Sequence, residues 1–369
     1  MACANGVNLN AEPNTPQPGQ TERSRLNAGC TATVSYRATA VDAVRVVGIV
    51  AVVAGHDWAN PFVDHLVYPW HVPVFFFLTG YLWRSDRSVT KEIRNRGRSL
   101  LIPYAAWLAV IATAYFGMLA LTAHFLPITD VAKAAYGGSL VGRPFSAFWF
   151  VTALFFATLI VRVLEKSGHG AAWWVAAAGL AACTLAGDKV ARAPLAIGVA
   201  VPCMIFILAG TWFRERRARI TRPMTIGLSL IAVSSILVFT GISPPLRLKY
   251  GDFGFPVLGV MVAIMISAGL LLVFEETLRS LRGAPALAIT RMAQAGLVVV
   301  LSHAFVLWLL NTPPSGSFVA LALCLVCPWT LGIILIHTPL SPILVGQPRV
   351  NRAERTLLLA PATDGSSRE

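Results

Sequence analysis

Apolar residues along this chain fall into long runs separated by short polar stretches. Runs of roughly 18 residues or more are the pattern of helices that cross a bilayer. They centre on residues 41–59, 66–83, 100–122, 147–164, 171–187, 194–213, 224–243, 256–275, 287–310 and 317–337, which predicts about ten spans. Several runs are joined by short basic loops and not by the Gly/Pro turns of a barrel, so the spans are expected to be helices. The fold class expected is an all-α integral membrane bundle. Residues 1–36 are rich in Asn, Pro, Gln, Thr and Ser without apolar periodicity and read as a disordered cytoplasmic N-terminal tail, not a cleavable signal. Residues 37–340 are expected to form the membrane domain, and 341–369 to close the chain as a basic cytoplasmic C-terminal tail.

Composition agrees with a bilayer as solvent: 56% of the 369 residues are hydrophobic and 13% charged, with a mean hydropathy of +0.66. The net charge of +13 alone would suit a nucleic-acid partner, but its distribution does not. Basic residues gather in alternate loops, 23 on the side of both termini against six on the other, leaving Arg45 within the first span. By the positive-inside rule both termini are expected to be cytoplasmic and the number of spans even. No nucleic-acid partner is expected. Cys324 and Cys327 have CxxC spacing, but their apolar setting reads as helix packing, and no metal site is expected.

Chemistry is concentrated in a few ionisable residues. Arg45 and His56 lie eleven residues apart in the first span, DAVRVVGIVAVVAGHDW. That spacing returns them to one helix face, about 16 Å apart along the axis. Ionisable groups in a span are costly unless they face protein or a water-filled cavity, so this face is expected to point inward. Arg45 also reads as a cation snorkelling to the interface. His56, His65, His71, His124 and His303 all fall toward the extracytoplasmic side. Asp57 follows His56 but points about 100° away from it, a poor position for orienting the ring. Asp64, Asp130 and Asp252 are extracytoplasmic without a geometric link to it. Arg94, Arg96 and Arg98 lead into the third span. They suit the phosphates of a nucleotide cofactor as well as ordinary topology.

These residues resemble the bacterial integral-membrane acyltransferase family 3. The first-helix Arg and His are matched by Arg45 and His56, with Asp42 at a commonly acidic place. A Phe-His-Met-Pro-Leu-Phe-Phe-Phe-Ser-Gly-Tyr type of motif is matched by Trp70, His71, Val72, Pro73, Phe75–Phe77, Thr79, Gly80 and Tyr81. The basic lead into Leu-Leu-Ile-Pro-Tyr is matched by Arg96, Arg98, Leu100, Leu101, Ile102, Pro103 and Tyr104. Trp149, Phe150 and a late-helix His303 complete the likeness. Ser99 stands where a second Arg is common, and Thr79 where Ser is usual. No esterase-like domain is expected after the last helix.

The resemblance implies an O-acyltransferase of the bacterial inner membrane. Acyl-CoA, usually acetyl-CoA, would serve as co-substrate with no tightly bound cofactor. The acceptor would be a hydroxyl or amine of a glycan, glycolipid or exported small molecule. His56 is expected to act as general base or transient acyl carrier. Arg45, Arg96 and Arg98 would hold CoA, and His71, Trp149 and His303 would support the acceptor. Trp70 and Trp149 read as sugar platforms or as belt aromatics. The alternative is a secondary transporter or exporter of a polar or lipid-linked molecule, since a few buried ionisable groups among many helices describe that class too.

Overall fold

The computed structural model describes residues 18–123, 128–168 and 170–350, with side chains from Arg37 to Val350 apart from 123–127 and 169. It is an all-helical membrane bundle. Helix α1 (Pro18–Asp57) carries the first span at Arg37–Asp57. It begins at Pro18, so helix reaches into the stretch 1–36 that composition reads as disordered. No proline interrupts the chain between Pro18 and Asp57, and a helix nucleated in the apolar part propagates through such residues. The remaining calls on 1–17, 351–369 and His124 lie outside the described residues.

Among the described residues eight helices are long and apolar enough to cross a membrane. Besides the span of α1, they are Val89–Thr122, Phe148–Ser167, Ala171–Ala191, Pro194–Arg219, Pro256–Thr277, Gly283–Leu309 and Phe318–Ile336. Two of the ten expected spans depart from that description. The second is not one rod but two short helices, α2 (Pro61–Val67) and α3 (Pro73–Tyr81), joined by turns. Pro69 and Pro73 are the physical cause: neither has an N–H to give the carbonyl four residues earlier, so His65 and Pro69 itself lose their helical bonds. The Asn60 side chain caps α2 by accepting from the Val63 amide at 2.9 Å. The seventh, α10 (Pro223–Phe239), has 17 residues.

The third span is entered through α4 (Val89–Arg96), capped by Ser88, and a π turn at Gly97–Leu101, before α5 (Ile102–Ala123). A short α6 (Ile128–Tyr136) and a loop then lead to α7 (Phe148–Leu164). Next come α8 (Ala171–Ala191) and α9 (Ile197–Arg216). After α10 follow α11 (Pro256–Thr277), α12 (Gly283–Leu309) and α13 (Phe318–Ile336). The four-residue α14 (Ser341–Leu344) folds back against α5, where the Leu344 carbonyl accepts from Trp107 Nε1 at 2.9 Å. Gly346 abuts the Ser99 carbonyl, so this segment clasps the π turn.

Helix α3 is the buried centre, with Phe76 and Phe77 fully enclosed. It crosses α9 closely because each presents a glycine to the other's backbone. A methyl at Gly80 would collide with the Ile207 carbonyl, and one at Gly210 with the Phe77 carbonyl. Small residues at such crossings are how membrane helices gain packing when the surrounding lipid is as apolar as their side chains. Gly210→Ala is therefore expected to destabilise the bundle by about 1–3 kcal/mol, the usual cost of overpacking. A lowered thermal midpoint in detergent would check it, and an unchanged midpoint would show that the crossing relaxes freely.

Candidate active site at the α1 and α12 termini

Three helix segments converge on a cavity of about 300 Å³ at the end of the bundle where α1 terminates. His56 lies one residue before the end of α1, and its Nδ1 sits 2.8 Å from the Val52 carbonyl, four residues back. A carbonyl only accepts, so this contact places the ring proton on Nδ1 and leaves the Nε2 lone pair for chemistry. His71, in the turns between α2 and α3, makes the same contact with Val67 at 3.0 Å. His303 on α12 makes it with Val299 at 3.0 Å. All three imidazoles thus have the same tautomer, each set by its own local backbone.

His56 and His71 both line the cavity. The His303 ring stands edge-on to that of His56 with centroids 4.9 Å apart, fully buried, and its Nε2 has no hydrogen-bond partner among the described residues. The break at Pro69 and Pro73 thereby has a use: it turns Tyr68 and His71 into the cavity together. Tyr68 packs edge-on against His71 at 4.9 Å and donates to the Gly55 carbonyl at 3.0 Å, tying the turns to α1. Trp149, second residue of α7, completes the wall beside Phe75 and Phe150. Among the described residues no cluster of three or more His, Cys, Asp or Glu has the arrangement of a metal site. Cys324 is buried, its thiol 3.7 Å from the His303 carbonyl, while Cys327 is exposed on α13.

The sequence pattern did not point to the cations around this cavity. Arg143, in the loop before α7, donates to the His56 carbonyl and, at 3.2 Å, to the Thr312 carbonyl. It thus satisfies carbonyls that the ends of α1 and α12 leave without helical donors. Lys249 comes from a one-turn helix at Leu248–Tyr250 and donates to the Val141 carbonyl at 2.5 Å. That turn is fixed by paired backbone bonds between Arg247 and Asp252 and by Gly251, whose φ of +72° and contact with the Gly187 backbone exclude a side chain. Burial pushes the Lys249 ammonium down to about 8.

Other candidates lie elsewhere. Asp57 is buried but accepts from the Ser317 amide at 3.1 Å, away from His56, as its helical angle predicts. Asp64 pairs with Arg247, Asp130 with Lys133, and Asp252 accepts from the Gly254 amide. His65 packs on Phe239 outside the cavity, and Trp70 donates to the Leu66 carbonyl without lining it.

Arg45, Arg96 and Arg98 lie at the opposite end of the bundle. Arg45 is bound to Asp42 at 3.0 Å and is part-exposed. Arg96 donates from Nε to Glu92 at 2.9 Å, whereas Arg98, exposed in the π turn, has no ion pair among the described residues. Glu92 is 2% exposed and is also approached by Arg87 at 3.4 Å and Arg162 at 3.6 Å. Arg162 extends the cluster to Glu165 at 2.6 Å and covers the Trp83 ring at 4.1 Å. A second buried carboxylate, Glu275, accepts from Arg217 at 2.6 Å and Tyr81 at 2.7 Å.

The sequence pattern of the family described as "Acyltransferase domain" matches residues 39–344, which contain both ends of this arrangement. Nodulation protein NolL of Mesorhizobium japonicum is 24% identical over 189 residues, 46% of this chain and 45% of that protein. Nodulation protein NolL of Sinorhizobium fredii is 26% identical over 166 residues, 41% of this chain and 43% of that protein. The matched part thus spans under half the length of either relative. No solved structure matches the chain.

Proposed function

The chain belongs to the acyltransferase-domain family, and from that premise we propose that it moves an acyl group, acetyl in the simplest case, from cytoplasmic acyl-CoA to a hydroxyl held in the cavity, with His56 as general base. The observation that carries this reading is the His56 ring itself. Its Nδ1 proton is anchored to Val52, and it lines a cavity to whose wall no described carboxylate contributes, so none competes for the substrate proton. The hydroxyl proton passes to Nε2 as the oxygen attacks the thioester carbonyl. The C–S bond breaks, and the imidazolium returns the proton to the leaving thiolate, giving an ester and free CoA. His303 packs edge-on against the His56 ring and limits its tilt, and His71 and Trp149 bound the acceptor. The apolar walls given by Val52, Val72 and Phe75 keep water from the thioester.

The donor is assigned to the opposite end, where the basic loops favour the cytoplasm under the positive-inside rule. Arg45 shares a helix with His56 about 16 Å away, a distance suited to an extended pantetheine arm. Arg98 carries a guanidinium that no described side chain neutralises, so it is the strongest phosphate partner. Arg96, held by Glu92, steadies the segment and offers its terminal nitrogens. The bacterial inner membrane fits this orientation and the rhizobial sources of both relatives. The exporter alternative has no observation of its own in its favour.

The test is transfer of radiolabelled acetyl-CoA by purified protein in lipid nanodiscs, with CoA affinity measured beside it. Arg98→Ala is expected to weaken CoA binding by about ten-fold or more, the worth of one hydrogen bond to a charged group, with thermal stability unchanged. Arg96→Ala is expected to lower stability as well. No CoA binding by a well-folded wild type would reject the acyltransferase reading.

A further inference from the structure

The cavity beside His56 is one-sided in charge. Arg143, Arg247 and Lys249 contribute to its wall, and no described Asp or Glu does. Two of these cations are already engaged. Arg143 serves the His56 and Thr312 carbonyls, and Arg247 pairs with Asp64 at 3.1 Å while remaining 57% exposed. Lys249 differs. It has no carboxylate partner among the described residues, spends one N–H on the Val141 carbonyl, and lies 5.6 Å from the Tyr250 ring centroid. Its charge reaches His56. A half-buried ammonium with unfilled donors beside a general base is costly to hold without a counter-charge. No described residue supplies one there, so the substrate is the natural source.

Building on the proposed function, we propose that the acceptor is an anionic hydroxyl compound, bearing a carboxylate or phosphate near the acylated hydroxyl, and that Lys249 selects it. The geometry divides the labour. His56 Nε2 addresses the hydroxyl, Lys249 addresses the anion across the same cavity, and Trp149 and Tyr68 flank the carbon framework between them. The weakened hold of Lys249 on its proton agrees with a charge that awaits a partner. Pairing with an anion would restore its ordinary affinity for the proton.

The competing role for Lys249 is to stabilise the oxyanion of the transition state, which every acceptor generates alike. The two roles separate by comparing acceptors. Methyl glucoside, glucuronate and glucose 6-phosphate serve as neutral, carboxylate and phosphate probes, tested with acetyl-CoA and full-length protein in nanodiscs. Wild type is expected to prefer one or both anionic probes through KM. Lys249→Met is expected to reduce that preference by about ten- to a hundred-fold, and Lys249→Arg to restore most of it. Which anionic probe loses more tells carboxylate from phosphate.

An equal fall in kcat for all three probes, or a wild type indifferent to charge, overturns the proposal. Direct binding of the anionic probes without donor, by saturation-transfer NMR, keeps this test independent of the acyl-transfer reading. Selective binding that depends on Lys249 supports the proposal even where no acetyl group is transferred, and binding that Lys249→Met leaves untouched refutes it.

Discussion

His56→Ala is expected to lower acyl transfer by about 10²–10⁴-fold, the span attributed to a positioned general base, while acyl-CoA binding survives. The division follows from distance. The ring sits at the C-terminal end of α1, and Arg45, one of the cations assigned to the donor, lies about 16 Å back along the same helix. His56→Gln makes the control sharper, because the amide retains hydrogen bonding but cannot take a proton at neutral pH. Both variants should fall together in kcat. A donor Kd that rises with them would place the thioester's anchorage at His56 and refute the separation. Retained turnover in His56→Gln would show that the ring orients the acceptor without accepting its proton.

The largest structural effect is expected at Glu92. Its carboxylate is 2% exposed and is shared among Arg87, Arg96 and Arg162. Glu92→Ala removes the counter-charge that Arg87, Arg96 and Arg162 share, leaving Arg162 only Glu165, and breaking a buried pair by deleting one partner typically costs about 3–5 kcal/mol. Because α4, which contains Glu92, leads directly into the π turn that holds Arg98, CoA affinity is expected to drop with stability. The double variant Glu92→Gln/Arg162→Gln is expected to be less destabilised than the two single variants combined, with a coupling of about 0.5–3 kcal/mol. Thermal unfolding in nanodiscs measures wild type, Glu92→Ala and the three Gln variants, and simple additivity in the Gln cycle would refute the shared cluster.

Much of this arrangement is legible in the amino-acid sequence. The 3.6-residue period put Arg45 and His56 on one helix face and turned Asp57 away, and Asp57 indeed meets the Ser317 amide instead. Counting spans and following chain direction brought His71 and His303 to the level of His56. The family motifs then indicated which of these were worth attention. The break at Pro69 and Pro73 was also visible, since prolines within an apolar run interrupt a helix, yet hydropathy smooths over them.

What escaped was whatever depends on contacts distant in sequence. Lys249 and Arg143 sit in segments without periodicity. Their positions are set by Gly251 against Gly187, by the Val141 carbonyl and by the ends of α1 and α12. Glu92 was hidden within a basic stretch, where a single acid reads as surface composition and not as the hub of three arginines. The carbonyls of Val52, Val67 and Val299 were hidden as well, because a backbone acceptor four residues back leaves no mark on the choice of side chain.

Those three contacts bear on how such a molecule diversifies. A base oriented by a distant carboxylate survives only while two separate elements change in step. Here each ring is steered from within its own segment, so neighbouring loops can exchange residues, lengthen or reverse charge without disturbing the proton that Nδ1 holds. On the proposed reading, the residues of segments 141–147 and 246–250 other than Arg143, which holds the end of α1, are the ones to change for a new acceptor, while the proton on His56 Nδ1 stays where Val52 holds it.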